Sequence, residues 1–292
     1  MECEDVVSLS GLSTICRYQE LTKVDEKSLR NYATKTRSFF GSTARDFDDD
    51  ANAEWLIRSY LSLKYVLAST VLGTSAMHAE TENLKVTLPY LNYYTMFNCA
   101  RAFIFSLPCI DWKGEKSIEM THQNIINTTG DKLRRVDDLV ASAVKSRLLT
   151  GQQQRELFSY RFPASGLNIF QDDLLLPMQA IETARLLAEL AQFNLACLEA
   201  AVRKHTDQNF RVGGQDNLWD LMRYDTKTSE LIDDADYHRV GYFIRKYRYP
   251  SELITLGTHG LLEDFFGAWV DEREQLECYN PDDDWNLLLD FN

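Results

Sequence analysis

The stretch Leu88–Leu107, LPYLNYYTMFNCARAFIFSL, constrains the possible fold more than any other part of the chain. Pro89 falls in a first helical turn, where its missing N–H group costs nothing, and Pro108 ends the helix. Almost every residue between them is apolar or aromatic, so we expect a helix that is buried on most sides. The run is interrupted only by Asn92, Thr95, Asn98 and Arg101. Because such a helix needs other helices packed around it, the sequence predicts an all-α protein.

Amphipathic patterns on both sides of this stretch predict the surrounding helices. The acidic run Asp46–Asp50 is suited to cap a helix over Ala51–Leu72, where apolar residues recur at helical spacing. An unbroken apolar and alanine stripe marks a second long helix within Asp172–Lys204. Glycines 41, 73 and 130 are predicted to follow helix ends. Further helices are predicted at Asp25–Phe40, at THQNIINTTG with Thr121 near its cap, and at Asp131–Leu149, Gln152–Phe158, Leu218–Tyr224, Ala235–Tyr247 and Ser251–Val270.

These elements suggest three parts of the chain. Residues 1–50 form a lead-in with one helix, residues 51–205 a helical bundle, and residues 206–292 a smaller helical extension. The boundary is placed in the glycine-containing connector 206–216. In the predicted helix Asp131–Leu149, six apolar residues are expected to face inward: Leu133, Val136, Leu139, Val140, Val144 and Leu148.

Charge and cysteine content limit the classes of function. A net charge of −13 means that the surface as a whole repels nucleic acid and anionic membranes, so an RNA contact needs a local basic patch. The six cysteines have no paired spacing, which favours reduced thiols in a cytoplasmic protein. The N-terminal MECEDVV does not resemble a signal peptide. Polar residues inside Leu88–Leu107 favour a buried helix of a soluble protein over a membrane span.

Common motifs for metals and cofactors are absent from the sequence. It contains no HExxH, no Cys/His cluster, no glycine-rich phosphate loop and no GxSxG. We therefore expect neither a metal nor a cofactor.

The segment YYTMFNCARAFIF, followed by THQNIIN, resembles the core of HEPN (higher eukaryotes and prokaryotes nucleotide-binding) domains. On this resemblance Thr121 and His122 fall on the second motif, and the helix motif is matched by Tyr93, Tyr94, Phe97, Ala100, Arg101 and Ala102. The resemblance covers about half of the chain. It implies an antiparallel helical bundle that commonly dimerises, and many such proteins are metal-independent ribonucleases in bacterial toxin–antitoxin and phage-defence systems.

The catalytic signature that the resemblance implies is not present. In that family an Arg precedes a His by a few residues, because His moves a proton while Arg stabilises the developing phosphate charge. None of the five histidines has an Arg at that spacing, and the expected region reads RELFSYRFPASG. Asn98 stands where the helix motif often has a His. This pattern indicates a non-catalytic member.

Two groups of residues are candidates for ligand contact. Arg101, a charge inside an apolar helix, is interpreted either as a phosphate contact or as a structural partner of Asp137, Asp138 or a backbone carbonyl. His122 is interpreted either as a structural residue near a helix cap or as part of a phosphate-binding group with Arg155, Tyr160 and Arg161. Together with Asn98, these residues form the first candidate group.

The second group is the basic and aromatic segment His238–Pro250. Its candidate contact residues are Arg239, Arg245, Lys246, Tyr247 and Arg248. Cations and aromatic rings together suit single-stranded nucleic acid, but the same pattern is typical of an amphipathic helix with a solvated basic face. That face is a possible contact for the acidic tail 271–292, whose apolar residues Trp285, Leu287–Leu289 and Phe291 are suited to dock on the body or on a partner.

Three functional hypotheses follow. The first is a non-catalytic HEPN-like protein that acts through protein or RNA contact, as a homodimer or with a protein partner, in a bacterial toxin–antitoxin or phage-defence module. The second is a metal-independent ribonuclease in which His122 joins Arg155 or Arg161 across the fold. The third is a structural subunit that binds a basic partner through its acidic tail.

Overall fold

The structure, a computed structural model, describes residues 1–12, 16–112, 117, 119–170, 173–206, 234–247, 249–257, 261–269 and 279–291. Over these residues it is entirely helical, as the sequence predicts, and contains no strand. Its α-helices, numbered α1–α10, are Cys3–Ser10, Glu26–Thr43, Asp49–Thr81, Leu88–Phe105, His122–Leu133, Asp138–Tyr160, Pro177–His205, Asp234–Lys246, Leu253–Gly257 and Leu261–Gly267. The predicted helix Leu218–Tyr224 and the connector 207–216 lie outside the described residues.

The centre of the fold is α4, the helix that the apolar stretch predicts. Its most extensive packing is against α3 and α7. A short connection joins α3 to α4, so the two helices form a hairpin. Most of α4 is inaccessible to solvent, including Met96, Ala100 and Phe103, which are 0% exposed. Because one set of contacting apolar side chains runs from Val6 to Phe291, the C-terminal elements share this core.

Side-chain caps begin several helices where the sequence predicts them. Asp48 accepts a hydrogen bond from the Ala51 N–H group at the start of α3. Thr121 accepts one from the Asn124 N–H group at the start of α5. These contacts satisfy backbone donors that have no partner within the helix. The predicted capping roles of the acidic run and of Thr121 are therefore confirmed.

The three predicted helix ends at glycine are wrong. Gly41, Gly73 and Gly130 all lie inside helices. Packing explains why position 73 is a glycine, because a Cβ atom there would lie 3.1 Å from Leu287 Cδ2. Helix α3 therefore extends beyond its predicted end at Leu72, as far as Thr81.

The predicted helix Asp131–Leu149 is divided between α5 and α6. Asp137 caps α6 by accepting from the N–H groups of Leu139 and Val140. This break changes the helical phase, and Leu139, predicted to face inward, is 81% exposed. Leu133, Val136, Val144 and Leu148 are buried as predicted. The predicted short helix Gln152–Phe158 is part of the same continuous α6.

The C-terminal residues dock on the body of the protein. Leu288, Leu289 and Phe291 are buried, and a Cβ atom on Gly257 would lie 2.6 Å from the Phe291 ring. The Arg185 guanidinium donates two hydrogen bonds, of 3.0 and 2.8 Å, to the Leu287 carbonyl. Residues 279–291 therefore dock on the body of the protein, which is the first of the two alternatives for the tail. Residues 271–278 lie outside the described residues.

Two further sequence expectations concern thiols and the membrane. Cys3, Cys16, Cys99, Cys109 and Cys197 are all free thiols. Within the described ranges, α4 included, no helix has both the length and the apolar character needed to cross a bilayer.

Candidate functional site

One stripe of α4 reaches the surface. Tyr90, Tyr94, Asn98 and Arg101 are partly exposed along it, although most of the helix is buried. Their spacing of four, four and three residues places them on one face. The helices α5 and α6 both pack against α4. Each of them contributes a polar side chain next to this stripe.

From α5, His122 lies against the aromatic side chains of α4. Its ring stacks on Phe97 and Tyr93, with centroid distances of 4.3 and 5.6 Å. Tyr94 meets it edge-on at 6.1 Å. The Tyr93 hydroxyl and His122 Nδ1 share a hydrogen bond of 2.6 Å. These contacts hold a partly exposed imidazole in one orientation.

From α6, Arg155 reaches the same aromatic group. Its Cζ atom lies 5.3 Å from the Tyr93 ring centroid and 5.9 Å from that of Tyr94. Its side chain is only 14% exposed, and its ion pair with the neighbouring Glu156 is long, at 3.5 Å. Arg155 Nε is buried and has no hydrogen-bond acceptor among the described residues. A covered guanidinium with an unfilled donor is a feature that needs a physical explanation.

The electrostatic environment favours the neutral form of His122. Burial lowers the pKa of His122, the positive charges of Arg155 and Arg101 lower it further, and Glu156 partly opposes them. Burial also raises the pKa of Tyr93, so its hydroxyl keeps the proton that it donates. When Tyr93 donates to Nδ1, the proton of the neutral imidazole is on Nε2. The site therefore offers an imidazole N–H donor in a positive local potential.

Arg101 marks the other end of the stripe. Its Cζ atom lies 4.3 Å from the centroid of the Tyr65 ring on α3, a geometry that stabilises the guanidinium through the π-system. Of the structural partners proposed for Arg101, Asp137 serves as the cap of α6. Arg101 thus has an aromatic partner that the sequence analysis did not consider. Its predicted phosphate contact stays a prediction.

Tyr160 and Arg161 lie apart from the described contacts of His122. Both are at the C-terminal end of α6, and Tyr160 is 79% exposed. Positions five and six residues after Arg155 do not share its helical face, which explains the separation. Of the three predicted neighbours of His122, the structure brings Arg155 to the cluster. The structure adds three residues that were not predicted as ligand contacts: Tyr93 and Tyr94, which contact His122, and Glu156, which pairs with Arg155.

The part of the basic and aromatic segment from His238 to Lys246 lies in the amphipathic helix α8. Val240 and Phe243 are buried, whereas Arg245 and Lys246 are exposed. Lys246 Nζ lies 5.3 Å from the Tyr242 ring centroid and 5.9 Å from that of Tyr247. Arg239 donates a 3.4 Å hydrogen bond to the Asp264 carbonyl. Arg248 lies outside the described residues, and contact of this face with nucleic acid stays a prediction.

In the described part of the acidic tail, Asp290 forms an ion pair of 3.3 Å with Arg17, a residue outside the basic helix α8. In the ranges that the structure covers, no group of three or more His, Cys, Asp or Glu side chains is arranged to hold a metal ion.

The charges around His122 predict how its titration will change on mutation. Arg155→Gln removes a positive charge and is expected to raise the pKa of His122, while Glu156→Gln is expected to lower it. The measurement is the pH dependence of the His122 imidazole resonances by NMR. Arg147→Gln, on the same helix but in contact with Thr183 of α7, is the control and should leave the midpoint unchanged. An unchanged midpoint in Arg155→Gln would show that Arg155 does not act on His122.

Comparison with models of known families, with curated proteins and with solved structures finds no match for this chain.

Proposed function

We propose that this chain is a non-catalytic, HEPN-like RNA-binding protein that holds a phosphate of single-stranded RNA beside His122. The observation that carries the proposal is Arg155, whose covered guanidinium has an unfilled donor next to His122, Tyr93 and Tyr94. Phosphate oxygens are strong acceptors for guanidinium donors. The bacterial defence or toxin–antitoxin setting comes from the resemblance alone.

The character of His122 favours binding over catalysis. A general base needs a free ring nitrogen directed at the proton that it removes. Here Nδ1 is engaged by Tyr93, and when Tyr93 is the donor, Nε2 carries the proton and the neutral ring acts as a donor to phosphate. Partly exposed Tyr90 and Tyr94 on the same stripe offer aromatic surface on which a base can stack. Arg155 and Arg101 supply the local positive charge that an RNA contact needs on a chain of negative net charge.

The test is retention of a single-stranded RNA oligonucleotide on a filter at low salt in EDTA. Arg155→Gln should weaken binding about tenfold and make it less sensitive to salt, because one phosphate contact is lost. His122→Ala should weaken binding as well. Arg147→Gln removes the same charge from the same helix and should bind RNA like the unmodified chain.

Other outcomes separate the remaining hypotheses. Cleavage of the RNA that His122→Ala abolishes would overturn the non-catalytic assignment and establish a metal-independent ribonuclease. No retention of RNA by the unmodified protein would overturn RNA binding and leave a protein partner as the ligand to identify.

A further inference from the structure

A second cluster of cations surrounds a cavity on another side of the protein. The cavity, of about 560 Å³, lies between the C-terminal end of α1, the middle of α2 and the C-terminal end of α7. Its wall carries Arg37 of α2 together with Lys204 and His205 of α7. Among the residues that the structure describes, the lining contains no acidic side chain. This is unusual for a chain with a net charge of −13.

Within the part of the chain that is described, the structure shows no ion pair for Arg37, Lys204 or His205. Arg203, the residue before Lys204, does have an ion pair, with Glu199 at 2.5 Å. The C-terminal end of α7 brings a partial negative charge of about half a unit to this region. Arg37 and Lys204 together exceed it, so the cavity wall remains positive.

The remaining lining leaves room for a ligand. Gly11, Cys197 and Ala200 form part of the wall and have small side chains. Ser38 adds a hydroxyl group beside Arg37. The volume is within the range of about 300–1,000 Å³ that is common for small-molecule sites, and it exceeds what a bare phosphate ion needs.

We propose that this cavity binds a phosphate monoester, the phosphate between Arg37 and Lys204 and the organic part over the small side chains. Guanidinium, ammonium and hydroxyl donors together match a phosphate group with several acceptor oxygens. The cavity lining has no residue in common with the group formed by His122, Arg155, Tyr93 and Tyr94. The proposed binding of a phosphate monoester can therefore be tested independently of the proposed RNA binding.

The experiment is isothermal titration of the full chain with glucose 6-phosphate, with glucose and inorganic phosphate as matched probes. Saturable binding is expected for glucose 6-phosphate, competition for inorganic phosphate and no binding for glucose. Arg37→Gln and Lys204→Gln should each raise the dissociation constant at least about tenfold, the usual effect of losing a charged hydrogen bond. Lys35→Gln removes a charge from the same helix without lining the cavity and should change nothing.

Three results would overturn the proposal. One is the absence of saturable binding of both phosphate probes at millimolar concentration. Another is equal affinity of glucose and glucose 6-phosphate, which would show that the phosphate is not recognised. The third is unchanged affinity in the Arg37→Gln, Lys204→Gln double variant, which would place the binding site elsewhere. Far-UV circular dichroism of each variant checks that the fold is retained.

Discussion

Replacement of Arg58 by alanine is expected to destabilise the protein by about 3–5 kcal/mol, since it removes the charged partner of a buried polar network. Arg58 is 1% exposed and lies with its Cζ atom 3.7 Å from the Trp55 ring centroid. Its Nε donates to the Phe105 carbonyl at 2.8 Å, and Nη2 donates to the Leu107 carbonyl at 2.5 Å. Glu54 pairs with Nη1 at 2.7 Å.

The reason for the large effect is the end of the central helix. The last carbonyls of a helix have no partner within it, and the carbonyls of Ala102 and Ile104 are satisfied by the N–H groups of Ser106 and Leu107. The Phe105 carbonyl depends on Arg58. Without the guanidinium, the Phe105 carbonyl loses its donor in the interior, at a cost of about 1–3 kcal/mol. The Leu107 carbonyl keeps only the long 3.4 Å hydrogen bond from the Ile110 N–H group.

Urea denaturation followed by circular dichroism at pH 7 measures this loss. Burial lowers the pKa of Arg58 only to about 10, so the side chain is charged at that pH. The control is Arg30→Ala, which removes an ion pair with Glu26 whose partners are 51% and 55% exposed. Such surface pairs contribute less than about 1 kcal/mol. An equally small loss in Arg58→Ala would mean that other groups satisfy the two carbonyls.

Replacement of Glu189 by alanine is expected to cost about 3 kcal/mol, through the attachment of the N-terminal segment. The Glu189 carboxylate on α7 is 1% exposed and accepts from three successive backbone N–H groups. Gln19 donates to Oε1 at 2.8 Å, Leu21 to Oε2 at 2.8 Å, and Glu20 to both oxygens at 3.1 and 2.9 Å. Three donors on a short turn form a concave site for an anion.

Glu189→Gln is a sharper test because it keeps the size of the side chain. The amide has one acceptor oxygen, so its NH₂ group would face a backbone N–H group, and about 2 kcal/mol should be lost. Burial raises the pKa of Glu189 to about 7, against the lowering effect of the three donors. Denaturation at pH 8 therefore compares the ionised carboxylate with the amide.

Amide hydrogen exchange separates a local from a global effect. Both Glu189 variants should lose protection at Gln19, Glu20 and Leu21 before they lose it in α4. Glu26→Gln, an exposed member of an ion pair, is the control and should leave these amides protected. Retained protection in Glu189→Ala would show that the N-terminal turn does not depend on this carboxylate.

The sequence alone determined the elements whose signal is local. Leu88–Leu107 predicts the central buried helix because apolar residues surround its axis, and the caps at Asp48 and Thr121 depend on residues three positions apart. In contrast, the glycine at position 73 predicts a helix end, whereas α3 continues to Thr81 and a Cβ atom on Gly73 would approach Leu287 Cδ2 to 3.1 Å.

The contacts that join distant parts of the chain depend on the tertiary structure. Arg58 meets a carbonyl 47 residues away, and Glu189 meets an amide 170 residues away. His122 and Arg155 lie on different helices and are brought together by the aromatic rings of α4. Periodicity indicates which face of a helix is buried, but not which neighbour covers it. That choice depends on how all the side chains pack at once, so the partners of these charges could not be predicted from the sequence.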